Sequence, residues 1–201
     1  MTLAVRLCGA ALALTMLEGC ALLMKNENEQ QIAEGNWETH RTQVEKIGHF
    51  TLQARVSSGG MFGIKGDLRW LQKPDGSFDL RVSGPFGIGA VGIAGTDEQV
   101  EVRTRKGTFE TSDPEGWIQE KMGWTLPVRG LRRWVLGLPT ARSEAHLELD
   151  IDGQVAVLEQ EGWRLDYTEY ADHNGVMLPR KFELANKEVK IKVLIDRWDL
   201  E

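Results

Sequence analysis

Residues 114–139 read PEGWIQEKMGWTLPVRGLRRWVLGLP, and they interrupt a chain otherwise patterned as strands. Within 114–123, Asp113 is placed to cap a helix, Pro114 suits its first position, and Trp117, Ile118 and Met122 share a face. Within 128–138, Leu131, Trp134, Val135 and Leu138 fall at i, i+3, i+4 and i+7, and Pro139 stops the pattern. On either side the period is two. Phe50, Leu52, Ala54 and Val56 alternate with polar residues, as do Ile64, Leu68 and Trp70 around Gly66, and Phe78, Leu80 and Val82. Further candidate strands cover 88–94, 99–105, 107–111, 145–151, 154–160, 162–169, 178–185 and 188–196. Short turns such as Pro74-Asp75-Gly76 and Asp152-Gly153 join many of them, which favours antiparallel neighbours. A helical pair inserted in such a series predicts a mainly β fold with some α. The expected form is an unclosed antiparallel half-barrel, with helices covering a hydrophobic cavity on its concave side, and not a sandwich. An earlier helix is expected in NWETHRTQVEKI, where Trp37, Val44 and Ile47 fall near one face. No internal repeat and no second domain are visible.

The N-terminal end places the protein. Met1 to Arg6 carries one positive charge, and LCGAALALTML from Leu7 to Leu17 is apolar and uncharged. That run is too short to span a bilayer and fits the apolar region of a secretory signal. Leu17-Glu18-Gly19-Cys20 resembles a bacterial lipobox, although Glu18 stands where small or apolar residues are usual. The resemblance implies a signal peptide over 1–19 and a lipidated Cys20. The plainer alternative is an ordinary signal cut after a small residue. Residues 20–35 read as the lipidated N-terminus and a polar tether, and 36–201 as one domain. Cys8 would leave with the signal, so a lipidated Cys20 leaves no internal disulfide and the fold must stand on packing. Ala21 after the cysteine, in place of the aspartate that commonly retains lipoproteins in the inner membrane, favours the outer membrane. The formal net charge is −6 with no basic tract, which argues against nucleic acid as a partner.

Motifs for chemistry are weak. Gly87-x-Gly89-x-x-Gly92 fits the dinucleotide pattern, but Pro85 breaks its approach and AVGIAGT is a poor helix, so a hairpin turn is the better reading. His40, His49, His146 and His173 are scattered without metal spacing. The acidic residues of EAHLELD, 144–150, alternate as on a solvated sheet face. No catalytic constellation and no cofactor are expected. Large apolar side chains stand out instead, with seven tryptophans in the chain. Each taken singly reads as core; together, under two amphipathic helices, they could line a cavity suited to an acyl chain.

At this point the sequence resembles the LolB family of outer-membrane lipoprotein receptors, from about Trp37 to Trp198. Leu131-Arg132-Arg133-Trp134-Val135-Leu136-Gly137-Leu138-Pro139 is similar to the family's L-R-x-W-[IV]-L-G-L-P. Trp37-x-x-His40, Trp70 at a strand end, Ser83-Gly84-Pro85-Phe86-Gly87 and Trp163 follow in family order. The resemblance implies a receptor that accepts acylated lipoproteins from the soluble periplasmic carrier LolA and inserts them into the outer membrane. It would be a monomer, anchored by Cys20 in the inner leaflet and facing the periplasm. Trp70, Leu80, Ile118, Met122, Leu131, Trp134, Leu138, Trp163 and Leu165 would line the lipid-binding cavity. Pro85, Phe86 and Gly87 would form a membrane-insertion loop, with Phe86 where the family usually has an exposed leucine. A second reading is a structural envelope lipoprotein that binds lipid or glycolipid; an enzyme finds no residues.

Overall fold

The computed structural model describes residues 28–59, 65–84, 89–122 and 126–200. Helix α1 covers residues 28–44, and eleven strands follow in chain order: β1 (Phe50–Ser58), β2 (Lys65–Gln72), β3 (Phe78–Ser83), β4 (Val91–Gly95), β5 (Val100–Thr104) and β6 (Gly107–Thr111), then β7 (His146–Leu149), β8 (Val155–Gln160), β9 (Trp163–His173), β10 (Val176–Ala185) and β11 (Lys190–Leu200). Helices α2 (Pro114–Met122) and α3 (Val128–Trp134) stand between β6 and β7.

All strands join one antiparallel sheet in the order β6-β5-β4-β3-β2-β1-β11-β10-β9-β8-β7. The order follows from short connections: two meanders each run outward or inward by nearest-neighbour hairpins. They meet where β1 pairs with β11, with a bulge between Gln53 and Ala54. The free edges are therefore β6 and β7, and the chain passes from one to the other through α2 and α3. The expected unclosed sheet with covering helices is what the chain forms.

The two faces differ as the alternation predicts. Phe50, Leu52 and Ala54 of β1, Leu68 and Trp70 of β2, and Phe182 and Leu184 of β10 are buried in a single cluster with residues of all three helices. Each large side chain taken from water there contributes about 1.5–3 kcal/mol. The opposite face is charged. Arg55 pairs with Asp196 through two hydrogen bonds of 2.8 and 2.6 Å, which hold the Asp196 carboxyl below the usual carboxylate range. Arg164 reaches Glu159 and Asp166 likewise. Such exposed pairs add little stability and keep this face wet.

Several boundaries differ from the sequence reading. Helix α1 already runs at residue 28, inside the segment read as tether, and buries Ala33 as well as Trp37 and Val44. Its Asn36 Nδ2 donates to Ile151 O at 2.9 Å, docking the helix on the β7–β8 turn. The strand expected at 88–94 starts at Val91, because Gly89 turns the chain at φ +68°. Strand β9 outruns its predicted end at 169 to reach His173 and the Asn174–Gly175 hairpin. Helix α3 ends at Trp134, not Leu138, and the stop is Gly137 rather than Pro139. Gly137 sits at φ +75°, Leu138 N donates to Arg133 O and Gly137 N to Trp134 O, the Schellman closure that needs a left-handed residue.

Candidate functional site

The segment from Val128 to Ser143 lies over the buried face of the sheet, and its attachments can be traced atom by atom. Along α3, Val128, Leu131 and Trp134 are buried, followed by Val135, Leu136 and Leu138. The Trp134 indole folds back across its own helix, above Gly130. A Cβ on that glycine would stand 2.6–2.8 Å from three indole carbons, so only glycine admits the ring there. Trp134 Nε1 donates to Gln160 Oε1 at 3.0 Å, and Tyr167 Oη donates to Trp134 O at 2.8 Å.

Gln160 is the hub. Its Oε1 also accepts from Thr140 N at 2.8 Å, while its Nε2 donates to Thr140 O at 2.9 Å and Ser143 O at 2.7 Å. One amide thus uses two acceptor and two donor positions, the full capacity of the group. It fastens α3 and the following loop to β8. The arginines of the segment fasten the other side. Arg129 N donates to Glu115 Oε1 of α2 at 2.9 Å, Arg132 reaches Asp97 between β4 and β5 at 3.0 Å, and Arg133 reaches Glu45 after α1 at 3.3 Å. On α2, Trp117 stacks against Phe109 of the edge strand β6, ring centroids 5.2 Å apart. Helices α2 and α3 together therefore bridge both meanders.

Burial sets the ionisation of the polar groups inside. Tyr167 and Tyr170 are pushed far up by loss of water, and Tyr170 Oη donates to Val155 O at 2.8 Å. His40 of α1, between Trp37 and Tyr170 with ring centroids 6.2 and 6.4 Å away, is held below its ordinary value by burial, with Asp150 opposing.

Of the residues predicted to line a cavity, Trp70, Leu80, Ile118, Leu131, Trp134, Leu138, Trp163 and Leu165 are all buried in the same apolar cluster. Met122 ends α2, and its side chain lies outside the described residues, as do Cys20, Pro85, Phe86 and Gly87. The last three fall in the connection from β3 to β4. An open cleft of about 810 Å³ lies where the β8–β9 and β10–β11 turns meet; of the predicted set only Trp163 lines it, among Glu144, Glu161, Arg164 and Lys187. Sequence reasoning missed Gln160, Tyr167 and Tyr170. Gln160 had a visible signal: a polar side chain two residues after the buried Leu158, on the same period, next to the Glu161-Gly162 turn. Among the described residues no helix is long and apolar enough to cross a membrane.

A profile described as "LolB: Outer membrane lipoprotein LolB" matches residues 48–198. The chain belongs to the LolB family. An outer-membrane lipoprotein LolB from Pseudomonas aeruginosa (strain LESB58) is 37% identical over 202 residues, covering 96% of this chain and 95% of its own. Another LolB, from Stutzerimonas stutzeri (strain A1501), is 36% identical over 208 residues, covering 98% and 97%. Among solved structures, a LolA superfamily protein from Nitrosomonas europaea aligns with TM-score 0.51 at 9% identity, over 81% of this chain and 93% of its own. A DUF1329 family protein from Desulfovibrio piger aligns with TM-score 0.55 at 7% identity, over 87% and 92%. The fold is thus shared far beyond sequence likeness, while LolB membership makes this chain an outer-membrane lipoprotein. The LolB profile takes in every strand, β11 as far as Trp198, and both bridging helices.

Proposed function

We propose that this LolB protein accepts acylated lipoproteins from a LolA-like periplasmic carrier and passes them into the outer membrane. The observation that carries this reading is the apolar face of a sheet that does not close, covered by helices tied to both of its halves. Acyl chains leave water with about 0.8 kcal/mol per CH₂, so three long chains amount to tens of kcal/mol. Free transit through the periplasm would be far too slow. A receptor must replace water around the chains at every stage, and an apolar interior under a removable cover does this. The chain acts as a transport factor, not a catalyst. With no nucleotide motif in its sequence it works downhill, its interior holding acyl chains more tightly than the carrier and less tightly than the bilayer.

In this reading Cys20 is the lipidated anchor. The buried set from Trp70 to Leu165, with Met122, takes the acyl chains as the helices yield. Phe86, between Pro85 and Gly87, dips into the bilayer during release and adds only about 1.5–3 kcal/mol of burial, too little to anchor the protein. The protein works as a monomer. The test scores carrier-to-protein and protein-to-liposome transfer separately. Phe86→Glu should leave the first step intact and block the second, since a carboxylate entering an apolar interface costs several kcal/mol; Phe86→Leu should match wild type. Normal delivery by Phe86→Glu would remove the loop from the mechanism. Failure to take cargo from any LolA-like carrier would favour a lipid- or glycolipid-binding envelope lipoprotein instead.

A further inference from the structure

Two buried side-chain atoms among the described residues have no hydrogen-bond partner: Trp70 Nε1 and Gln72 Oε1. They sit on alternate residues of β2, so both side chains project to the buried face, with relative exposures of 0% and 3%. Their bases are about 7 Å apart, the repeat of alternate strand residues. The orientation of the Gln72 amide is set by its nitrogen, which donates to Lys73 O at 3.3 Å and Ser77 O at 3.2 Å in the β2–β3 turn. The oxygen therefore faces away from that turn. No neighbouring strand can answer either atom. Leu52 and Leu80 flank Trp70 across the ladder, and Phe50 and Phe78 flank Gln72. The Phe78 ring lies 5.7 Å from the Trp70 ring. Elsewhere in the same interior, a tryptophan donor and a glutamine acceptor satisfy each other, at Trp134 and Gln160. An unmatched donor and acceptor side by side on an apolar wall are unusual, because buried polar groups are nearly always paired.

We propose that Trp70 Nε1 and Gln72 Oε1 form a polar subsite that reads the linkages at the base of a cargo's acyl chains. The proposal rests on the reading that this interior takes acyl chains. The indole N–H donates to a carbonyl, ester or amide. The glutamine oxygen accepts an N–H, which an ester does not have. An N-acylated, S-diacylglyceryl cysteine offers both groups within a few bonds of each other. A diacylglycerol whose free hydroxyl is capped as a methyl ether offers acceptors alone and leaves Gln72 unanswered. The pair thus favours a lipoprotein terminus over a donor-free glycerolipid carrying the same chains, a distinction that apolar burial cannot make.

The test uses full-length protein with ¹⁵N-labelled tryptophan, in a detergent without carbonyl groups. The Trp70 indole resonance is identified by its loss in Trp70→Phe. The probes are a tripalmitoyl-cysteinyl peptide, the same peptide methylated at its cysteine amides, and two glycerolipids whose free hydroxyl is capped as a methyl ether: dipalmitoylglycerol, and dihexadecylglycerol with ether-linked chains. The Trp70 indole proton should move downfield with the peptide and with dipalmitoylglycerol, and stay in place with the bound ether lipid. Gln72→Met should weaken the peptide about five- to tenfold, the worth of one hydrogen bond, and leave dipalmitoylglycerol unchanged. If that variant does not fold, amide methylation must weaken binding to wild type by the same factor. A Trp70 resonance that stays put while other tryptophans register the ester lipid would overturn the subsite and leave the acyl-binding interior standing. So would one already downfield in the free protein, the mark of a buried water. Equal weakening of peptide and dipalmitoylglycerol by Gln72→Met would reduce that residue to packing and overturn its role. If no probe binds, the acyl-binding reading fails, and the subsite with it.

Discussion

Replacing Gln160 by leucine isolates what holds the helical cover to the sheet. The change keeps side-chain size roughly constant and deletes four hydrogen bonds, to Trp134, to both the N–H and C=O of Thr140, and to Ser143. The two bonds to Thr140 and the one to Trp134 are buried, so their partners are left without water. A buried hydrogen bond contributes about 1 kcal/mol net, and an orphaned partner costs about 1–3 kcal/mol. Three such bonds, offset by the greater apolar burial of leucine, give a destabilisation of about 3 kcal/mol. With a urea m-value near 2 kcal/mol/M the midpoint should fall by about 1.5 M, read by circular dichroism alongside wild type. The loss should appear first in the cover: hydrogen exchange ought to accelerate at the Thr140 amide more than at β1 and β11, where the ladder is untouched. A midpoint within about 0.3 M of wild type would refute the reasoning, because it would mean that the loop after α3 finds its partners without the glutamine.

Other outcomes follow from particular atoms. Gly130→Ala, which in an open helix would stabilise by up to about 1 kcal/mol, should instead destabilise by about 1–3 kcal/mol as its methyl displaces the Trp134 indole; a raised melting temperature would contradict the contact. His40 favours its neutral form in the fold, so the unfolded chain takes up a proton first as pH falls. Its stabilising contribution is complete above the ordinary value of 6.5 and is lost as pH drops from there through the depressed folded value. His40→Gln should flatten the stability curve below pH 6.5, and an unchanged slope would show that the imidazole is reached by water. Cys20→Ala should yield a protein that folds and stays out of the membrane fraction, since no disulfide is lost; mass spectrometry of the mature wild type should find acyl chains on Cys20.

The elements were legible because their causes are local. Each strand carries its own alternation, and the hairpins announce themselves by turn residues such as Asp75, whose Oδ1 accepts from Ser77 N at 2.9 Å. The helix pair was legible from apolar spacing alone. What spacing cannot show is where a helix stops when an apolar run continues past it. Val135 and Leu138 extend the α3 stripe, yet the helix ends at Trp134 and Gly137 turns the chain before Leu138. Likewise the polar run at 28–35 hid the start of α1, because one small buried residue, Ala33, is enough to seat that turn. Of the candidate site, the apolar residues could be named since any large apolar side chain on the inner period is buried. The polar fittings could not be paired with their partners, even where one stood out as a polar residue on a buried face. Gln160 meets Trp134 only after β8 has been brought beneath α3, a contact across 26 residues of sequence that no local pattern encodes.

The place where the two meanders meet has a consequence for how the chain is made. Phe50 pairs with Leu200, so the central ladder of the sheet joins residues 150 positions apart. Contacts that distant close slowly, because the whole intervening loop must be ordered first. A chain that emerges N-terminus first presents β1 as an open edge, with its apolar row exposed, until the distant β11 has followed it. For that interval the nascent protein carries the kind of sticky surface that, in the function proposed above, it shields on others.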